Sequence, residues 1–521
     1  MRAISLSITA ALALSVIAVA PLQAASAAKA KPKSTAKAVP NVPQRPVTVA
    51  MAVDPVSLNP LEQRVTDTYS ELRNIYDPLI DSDGKSKKLT PILAKSWKFI
   101  DPKTLQLTLR SGVKFSNGAA FTADDVVYTV KALLGKLPES KPALAAYLYP
   151  TLTDAVAVNA TTVNLITSSP TPRLPIILPQ LLIIPNNSLG AGSTLTTTPV
   201  GTGAYKFVSY TPQKELVLTA KSDYFLGKVL IPKVTFKTIP DVTSRLFSFS
   251  TGEVDLIYGL LPSQIRSLGG NPFVKVVSKP STRMAAIWLD TLNVPALKKL
   301  KVRQALNYAI DRQGITKGLF QGQATPTNAL APTFFDPLDN KLKPYTYDPA
   351  KAKSLLKKAG FADGFDMTIM VPQARYILGV EAATAVASQL QAIGVNATIQ
   401  EVSFADFAAK TAVRDIPEAF FGSYGSSGPD PLLLYNAVVR TGVGFSWYNN
   451  PTLDALLDKA QSAADEAVYS KALIDAEGII YSQAPFIFLY ANNITWGLDK
   501  RLAFKPNPIQ VINLFKAKWI S

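Results

Sequence analysis

Asp124 and Asp125 are adjacent carboxylates, and paired carboxylates are the groups that could still perform acid–base or glycoside chemistry in this chain. The other usual reagents are missing. The 521 residues contain no histidine and no cysteine, so no Ser-His-Asp or Cys-His constellation exists. Zinc sites of Cys and His, and transition-metal sites with His ligands, are excluded on the same ground. Neither Gly135-Lys136 nor Gly227-Lys228 is followed by Ser or Thr, so no Walker loop is present. Gly201-Thr202-Gly203 lacks the third glycine of a dinucleotide loop and opens no apolar helix. It reads as a tight turn ahead of a strand from Tyr205 to Tyr210. Asp124 and Asp125 follow Thr122 in an [ST]-x-x-[DE] helix start, where negative charge complements the helix dipole. The residues therefore assign no catalytic group, no metal ligand and no cofactor.

The elements that would position any site are legible from periodicity. Leu105, Leu107 and Leu109 alternate with polar residues and predict a half-buried strand. Asn117-Gly118 predicts a tight turn, and Val126, Val130 and Leu133 repeat at helical spacing behind the Thr122 cap. A first strand begins at Val47, and Thr66 to Tyr76 reads as a helix. Strands dominate from Tyr205 to about Ile239, and Thr243 to Ser250 reads as a helix. Lys301 to Arg312 predicts one amphipathic helix, with Val302, Leu306, Ala309 and Ile310 on one face. Asp348 and Pro349 read as N-cap and first residue of a helix that stops at Gly360. A helix from Glu381 to Ile393 stops at Gly394 and is followed by a strand with Val395, Ala397 and Ile399 on one side. Such alternation argues for an α/β fold with a mixed sheet.

Charge and the N-terminus bound the surroundings. The formal net charge is +17. The charges are scattered, with no basic run beyond the N-terminal tail, which reads as a solvated surface and not a nucleic-acid footprint. Ala3 to Ala20 is an apolar run after Arg2, and Ala25-Ser26-Ala27 fits a cleavage site, so residues 1–27 read as a signal peptide. No cysteine follows it, which excludes a lipid anchor. Residues 28–46 mix Lys, Pro, Ala, Ser and Thr and read as a disordered linker. The apolar stretch 174–184 is too short to span a membrane.

Several phrases, in this order, resemble the family 5 extracellular solute-binding proteins, the peptide, nickel and opine type receptors of ABC importers. The most specific is LTLRSGVKFSNGAAFTADDVVYTV (107–130). LTPILAKSW (89–97), VGTGAY (200–205), GEVDL (252–256) and KVRQALNYAIDR (301–312) are similar to other family phrases. So are YDPAK (347–351), WYNNPTLD (447–454) and APFIFLY (484–490).

The resemblance implies a bilobal α/β periplasmic-binding-protein fold of type II, a Venus flytrap with an extra inserted domain. Lobe I would comprise 47–75, 195–285 and 486–521, the inserted domain 76–194, and lobe II 286–485. It implies a periplasmic receptor, acting as a monomer, that closes by a hinge on a peptide-like or other small organic solute. The receptor then delivers that solute to the importer's membrane subunits. The family loop corresponding to 422–431 carries an aspartate for a peptide's amino terminus. At that place this chain has Ser426, with Asp430 four positions later. The resemblance assigns Tyr424, Gly425, Ser426, Asp430, Tyr147, Asn59 and Tyr490 to ligand contact. Two other readings are a secreted hydrolase working through paired carboxylates and a receptor of this fold reused as sensor or chaperone.

Overall fold

The structure is a computed structural model. It describes residues 42–521 except 56, 63–65, 83–87, 139, 141–148, 191, 332–341, 343–344, 374 and 426–429. The leader, most of the linker, Tyr147 and Ser426 lie outside the described residues.

Two long strands organise the molecule. Val274–Leu289 and Phe486–Asp499 run antiparallel, from Val274 opposite Asp499 to Trp288 opposite Phe486. The register shifts between Pro280 and Met284 and again between Ala285 and Ala286. At one end this pair continues through Leu256–Tyr258 to Val47–Met51, Lys233–Thr238, Glu215–Ala220 and Tyr205–Thr211. At the other end it continues through Ala419–Gly425 to Phe365–Pro372 and Val395–Val402. The result is a mixed sheet of eleven strands among the described residues, divided into two halves that share only the long pair. A bulged antiparallel pair bends where its ladder is interrupted, and the register shifts mark those places.

Each half has its own core. Val47, Val49 and Met51 bury against Leu72, Ile75, Phe236 and the C-terminal Ile512 and Leu514. In the other half the long strand obeys the two-residue period. Ala285, Ile287 and Leu289 face one core, and Met284, Ala286 and Trp288 face another. A separate four-stranded sheet holds Ala94–Asp101, Thr104–Leu109, Thr162–Thr167 and Leu152–Asn159 in that order. Leu105, Leu107 and Leu109 are buried there against the Ala123–Leu133 helix, with Leu174 and Leu178 from the 174–184 stretch. Among the described residues no helix is long and apolar enough to cross a membrane.

The local signals act as their chemistry dictates. Thr122 caps the Ala123–Leu133 helix, and Asp125 Oδ2 accepts from the Thr122 N–H at 2.7 Å. Asp125 Oδ1 accepts from the Asn186 N–H at 2.8 Å, so this carboxylate is structural. Asp348 accepts from the Lys351 N–H at 2.8 Å ahead of Pro349–Lys358. Gly201 and Gly203 are required by close approach. A Cβ on either would lie 2.1 or 2.6 Å from the Ile75 carbonyl oxygen, where the Thr66–Ile75 helix ends.

Two expectations are corrected. The Lys301–Arg312 helix is not continuous: Leu300–Tyr308 ends, and Asp311 caps a separate turn, Arg312–Ile315, by accepting from the Gly314 N–H. The break lets Arg312 turn inward. Its guanidinium donates to the Phe488 carbonyl at 2.7 Å and to Asn307 Oδ1 at 2.8 Å. The linker is also shorter than its composition suggested. Gln44 donates to and accepts from the backbone of Trp519, and Arg45 stacks on that indole at 3.5 Å. The end of the 28–46 segment is therefore anchored to the C-terminus.

Candidate functional site

A cavity of about 540 Å³ lies where the two halves meet the long strand pair. That size falls within the roughly 300–1,000 Å³ of sites for small organic ligands. Arg245 and Tyr258 contribute from one half, Arg375 and Phe421 from the other, and Arg283 and Tyr490 from the two long strands. The inner wall is cationic. Arg283 donates from Nη1 to the Ser423 carbonyl at 2.8 Å, from Nη2 to Thr66 Oγ1 at 3.0 Å and from Nε to Gln510 Oε1 at 3.2 Å. All three acceptors are neutral. Arg375 reaches Asp67 Oδ2 at 2.9 Å, with side chains only 12% and 5% exposed.

Among the described residues Asp67 is the one carboxylate within ion-pair reach of either guanidinium, and it pairs with Arg375. Burial, reinforced by the charge of Arg375, pushes the Arg283 guanidinium down to about 10. Burial, with Asp67 and Asp54 nearby, drives the Glu71 carboxyl well above the ordinary range. Asp241, Glu381 and Glu401 line the cavity as exposed residues. Asp241 also caps the Val242–Ser250 helix, and Glu401 accepts from Gln373. Arg245, lowered by burial, spends its Nη1 on the carbonyls of Ile239 and Pro240. The arrangement is a cationic floor under an acidic, solvated rim. Tyr258 Oη and Asn492 Oδ1 are buried at the cavity without a partner among the described residues. The site offers hydrogen bonds and charge to a ligand.

Of the residues expected from sequence to touch a ligand, Tyr490 lines this cavity. Tyr424 does not. Phe421 and Ser423 face the cavity, so the intervening period turns Tyr424 to the opposite face, against Trp288 and Phe445 at 4.9 Å each. Gly425 ends the strand against Arg283, where a Cβ would lie 2.8 Å from Arg283 Cγ. Asn59 Oδ1 accepts from the Leu61 N–H at 3.1 Å in a buried turn. Asp430 is 1% exposed and serves the fold. It caps the Pro431–Val438 helix through the Leu432 N–H and pairs with Arg173 Nε at 2.8 Å. The Tyr469 hydroxyl also donates to it. An amine anchor at Asp430 would have to displace Arg173, which stacks on the Tyr469 ring at 3.5 Å. Asp430 therefore stands apart from the cavity.

Sequence reasoning missed Arg283, Arg375 and Asp67. One signal for Arg283 was present: it is a lone charge at the head of the apolar run MAAIWL. Arg375 and Asp67 carry no such mark.

Comparison with known proteins agrees with this architecture. The chain is 27% identical over 448 residues to heme-binding protein A of Haemophilus influenzae, covering 80% of this chain and 81% of that protein. It is 27% identical over 479 residues to the glutathione-binding protein GsiB of Salmonella typhimurium, covering 89% and 92%. Among solved structures it is similar to the periplasmic binding protein DppA of Helicobacter pylori in complex with the peptide STSA. That match has a TM-score of 0.85 and 23% identity, covering 91% of this chain and 98% of that one. The fold is thus the bilobal α/β fold of type II periplasmic binding proteins. Residues 88–446 match the family model of bacterial extracellular solute-binding proteins, family 5 Middle, so the chain belongs to the family 5 solute-binding proteins, receptors of ABC importers.

Proposed function

We propose that this receptor captures a small organic solute through an acidic group seated on Arg283 and Arg375, and hands it to the importer's membrane subunits without chemical change. The observation that carries this reading is the charge balance of the floor. Two half-buried guanidiniums with one carboxylate in ion-pair reach among the described residues leave positive charge that an anion of the ligand would compensate. A carboxylate held by guanidinium N–H groups gives charge-assisted, often bidentate bonds. Tyr258 Oη and Asn492 Oδ1 add places for a hydroxyl or amide on the same solute. The ligands named for the three relatives above, haem, glutathione and a peptide, all carry carboxylates, which supports the choice of class.

Closure follows from the topology. Lobe I comprises 47–75, 195–285 and 486–521, lobe II 286–485, and the inserted domain 76–194. The two long strands cross between lobes, so the lobes rotate about the bulged 280–286 region while staying in register elsewhere. A solute touching both sides stabilises the closed form by its differential affinity. Residues 1–27 are removed on export, and the mature chain works as a monomer in the periplasm. No nucleic acid, metal or cofactor takes part.

The test is a thermal-shift panel in which each carboxylate solute is paired with its amide. A solute at a hundred times its Kd adds about 2.7 kcal/mol to stability. Acids that shift the transition while their amides do not, with a smaller radius of gyration on binding, support the proposal. Amides that bind as well as acids, or turnover of the solute, defeat it.

A further inference from the structure

The first turn of the Thr66–Ile75 helix takes both floor arginines. Thr66 Oγ1 accepts from Arg283, and the next residue, Asp67, pairs with Arg375. Asp67 does not itself line the cavity, and the field of its carboxylate also reaches Arg245 and Arg283. The helix belongs to the half built on Val47–Met51, whereas Arg375 follows the Phe365–Pro372 strand of the other half. One carboxylate therefore neutralises the floor from behind and ties a loop of the second half to a helix of the first. Arg283 still has N–H donors beyond the three it spends on neutral oxygens.

We infer that Asp67 is a positioning residue for the solute site: an internal counter-anion that holds Arg375 in place and limits the floor to one acidic group of the solute. This rests on the reading of the cavity as the solute site. With Asp67 present, two guanidiniums match one carboxylate of the protein and one of the solute. Without it, the same floor accepts two acidic groups, and a diacid gains over a monoacid.

The test uses the full mature chain and three variants: Asp67→Ala, Asp67→Asn and Asp67→Ala with Arg375→Met. The first arm needs no solute. Formate and chloride are compared at equal ionic strength as stabilisers in thermal unfolding. The inference expects Asp67→Ala to melt several degrees below wild type and formate to recover at least about half of that loss. It expects the formate gain in Asp67→Ala to exceed wild type's own, and no such excess in the double variant, because the extra formate must sit where the carboxylate was, against Arg375. Absence of formate rescue, or equal rescue in the double variant, overturns it. Should Asp67→Ala not fold, hydrogen exchange on Asp67→Asn decides. Faster exchange at 375–379, with unchanged exchange at 104–109, supports the tether, and unchanged exchange at 375–379 overturns it.

The second arm measures binding of glutathione and its glycine monoethyl ester by calorimetry. A preference for the diacid that rises about tenfold from wild type to Asp67→Asn supports the inference, and an unchanged preference overturns it. If wild type binds neither probe, the acidic-solute reading fails for this class, and the formate arm still decides the role of Asp67.

Discussion

Replacing Asp430 by Ala should damage stability and leave solute binding intact. The carboxylate is 1% exposed and its Arg173 partner is buried, so the variant strands a guanidinium in a poorly solvated site. Burial alone would lower the Arg173 guanidinium, yet Asp430, Tyr469 and Glu466 together hold it above its ordinary value. Breaking one side of a buried pair costs about 3–5 kcal/mol. Loss of the cap on Pro431–Val438 adds about 1 kcal/mol. Glu466 remains 3.1 Å from the same guanidinium but is 54% exposed, so it returns about 1 kcal/mol at most. The expected net loss is about 3–5 kcal/mol, read as a lower urea midpoint at unchanged slope. Adding Arg173→Met should recover much of that loss, because the stranded charge leaves with its partner. Solute affinity at the cavity should stay within about a factor of three, under 1 kcal/mol. An Asp430→Ala variant with wild-type stability and a binding loss of more than about tenfold would refute the assignment and restore Asp430 as a ligand anchor.

Gly203→Ala should cost about 1–3 kcal/mol by overpacking against the Ile75 carbonyl, and circular dichroism melting will read it. A neutral Gly203→Ala would mean that the turn is free to shift. Glu477 gives a pH signature. It is buried, receives the Leu330 N–H at 2.7 Å and the Tyr435 hydroxyl, and burial pushes its carboxyl up to about 7 from 4.5. An acid raised on folding keeps a proton that the unfolded chain releases. Its stabilising protonation is thus complete below about pH 4.5 and is lost as pH rises towards about 7, at up to about 1.4 kcal/mol per pH unit. Glu477→Gln should flatten that slope in calorimetry between pH 5 and 8, and an unchanged slope would assign it elsewhere.

Local chemistry was legible where cause and effect are neighbours in sequence. The Thr122–Asp125 box, the Asp348-Pro349 start and the turn at Gly201-Thr202-Gly203 each depend on residues a few positions apart. The fold class and family followed because such phrases recur in a fixed order along the chain. The site did not follow. Asp67, Arg283 and Arg375 are brought together only by the sheet, and no spacing announces them. Asp430 misled for the converse reason: its partner Arg173 lies 257 positions away, so nothing local shows the carboxylate already taken. Tyr424 looked available because it sits in a Gly/Ser loop, whereas the two-residue period of Ala419–Gly425 turns it inward. Arg312 left its helix because Asp311 caps a new turn, a competition that apolar periodicity does not register.

The most direct measurement is native mass spectrometry of freshly purified mature protein beside its Arg283→Met, Arg375→Met variant, with the released small molecules identified. The account predicts that wild type carries a carboxylate-bearing solute and that the variant carries none. An identical neutral or cationic solute retained by both proteins would contradict it.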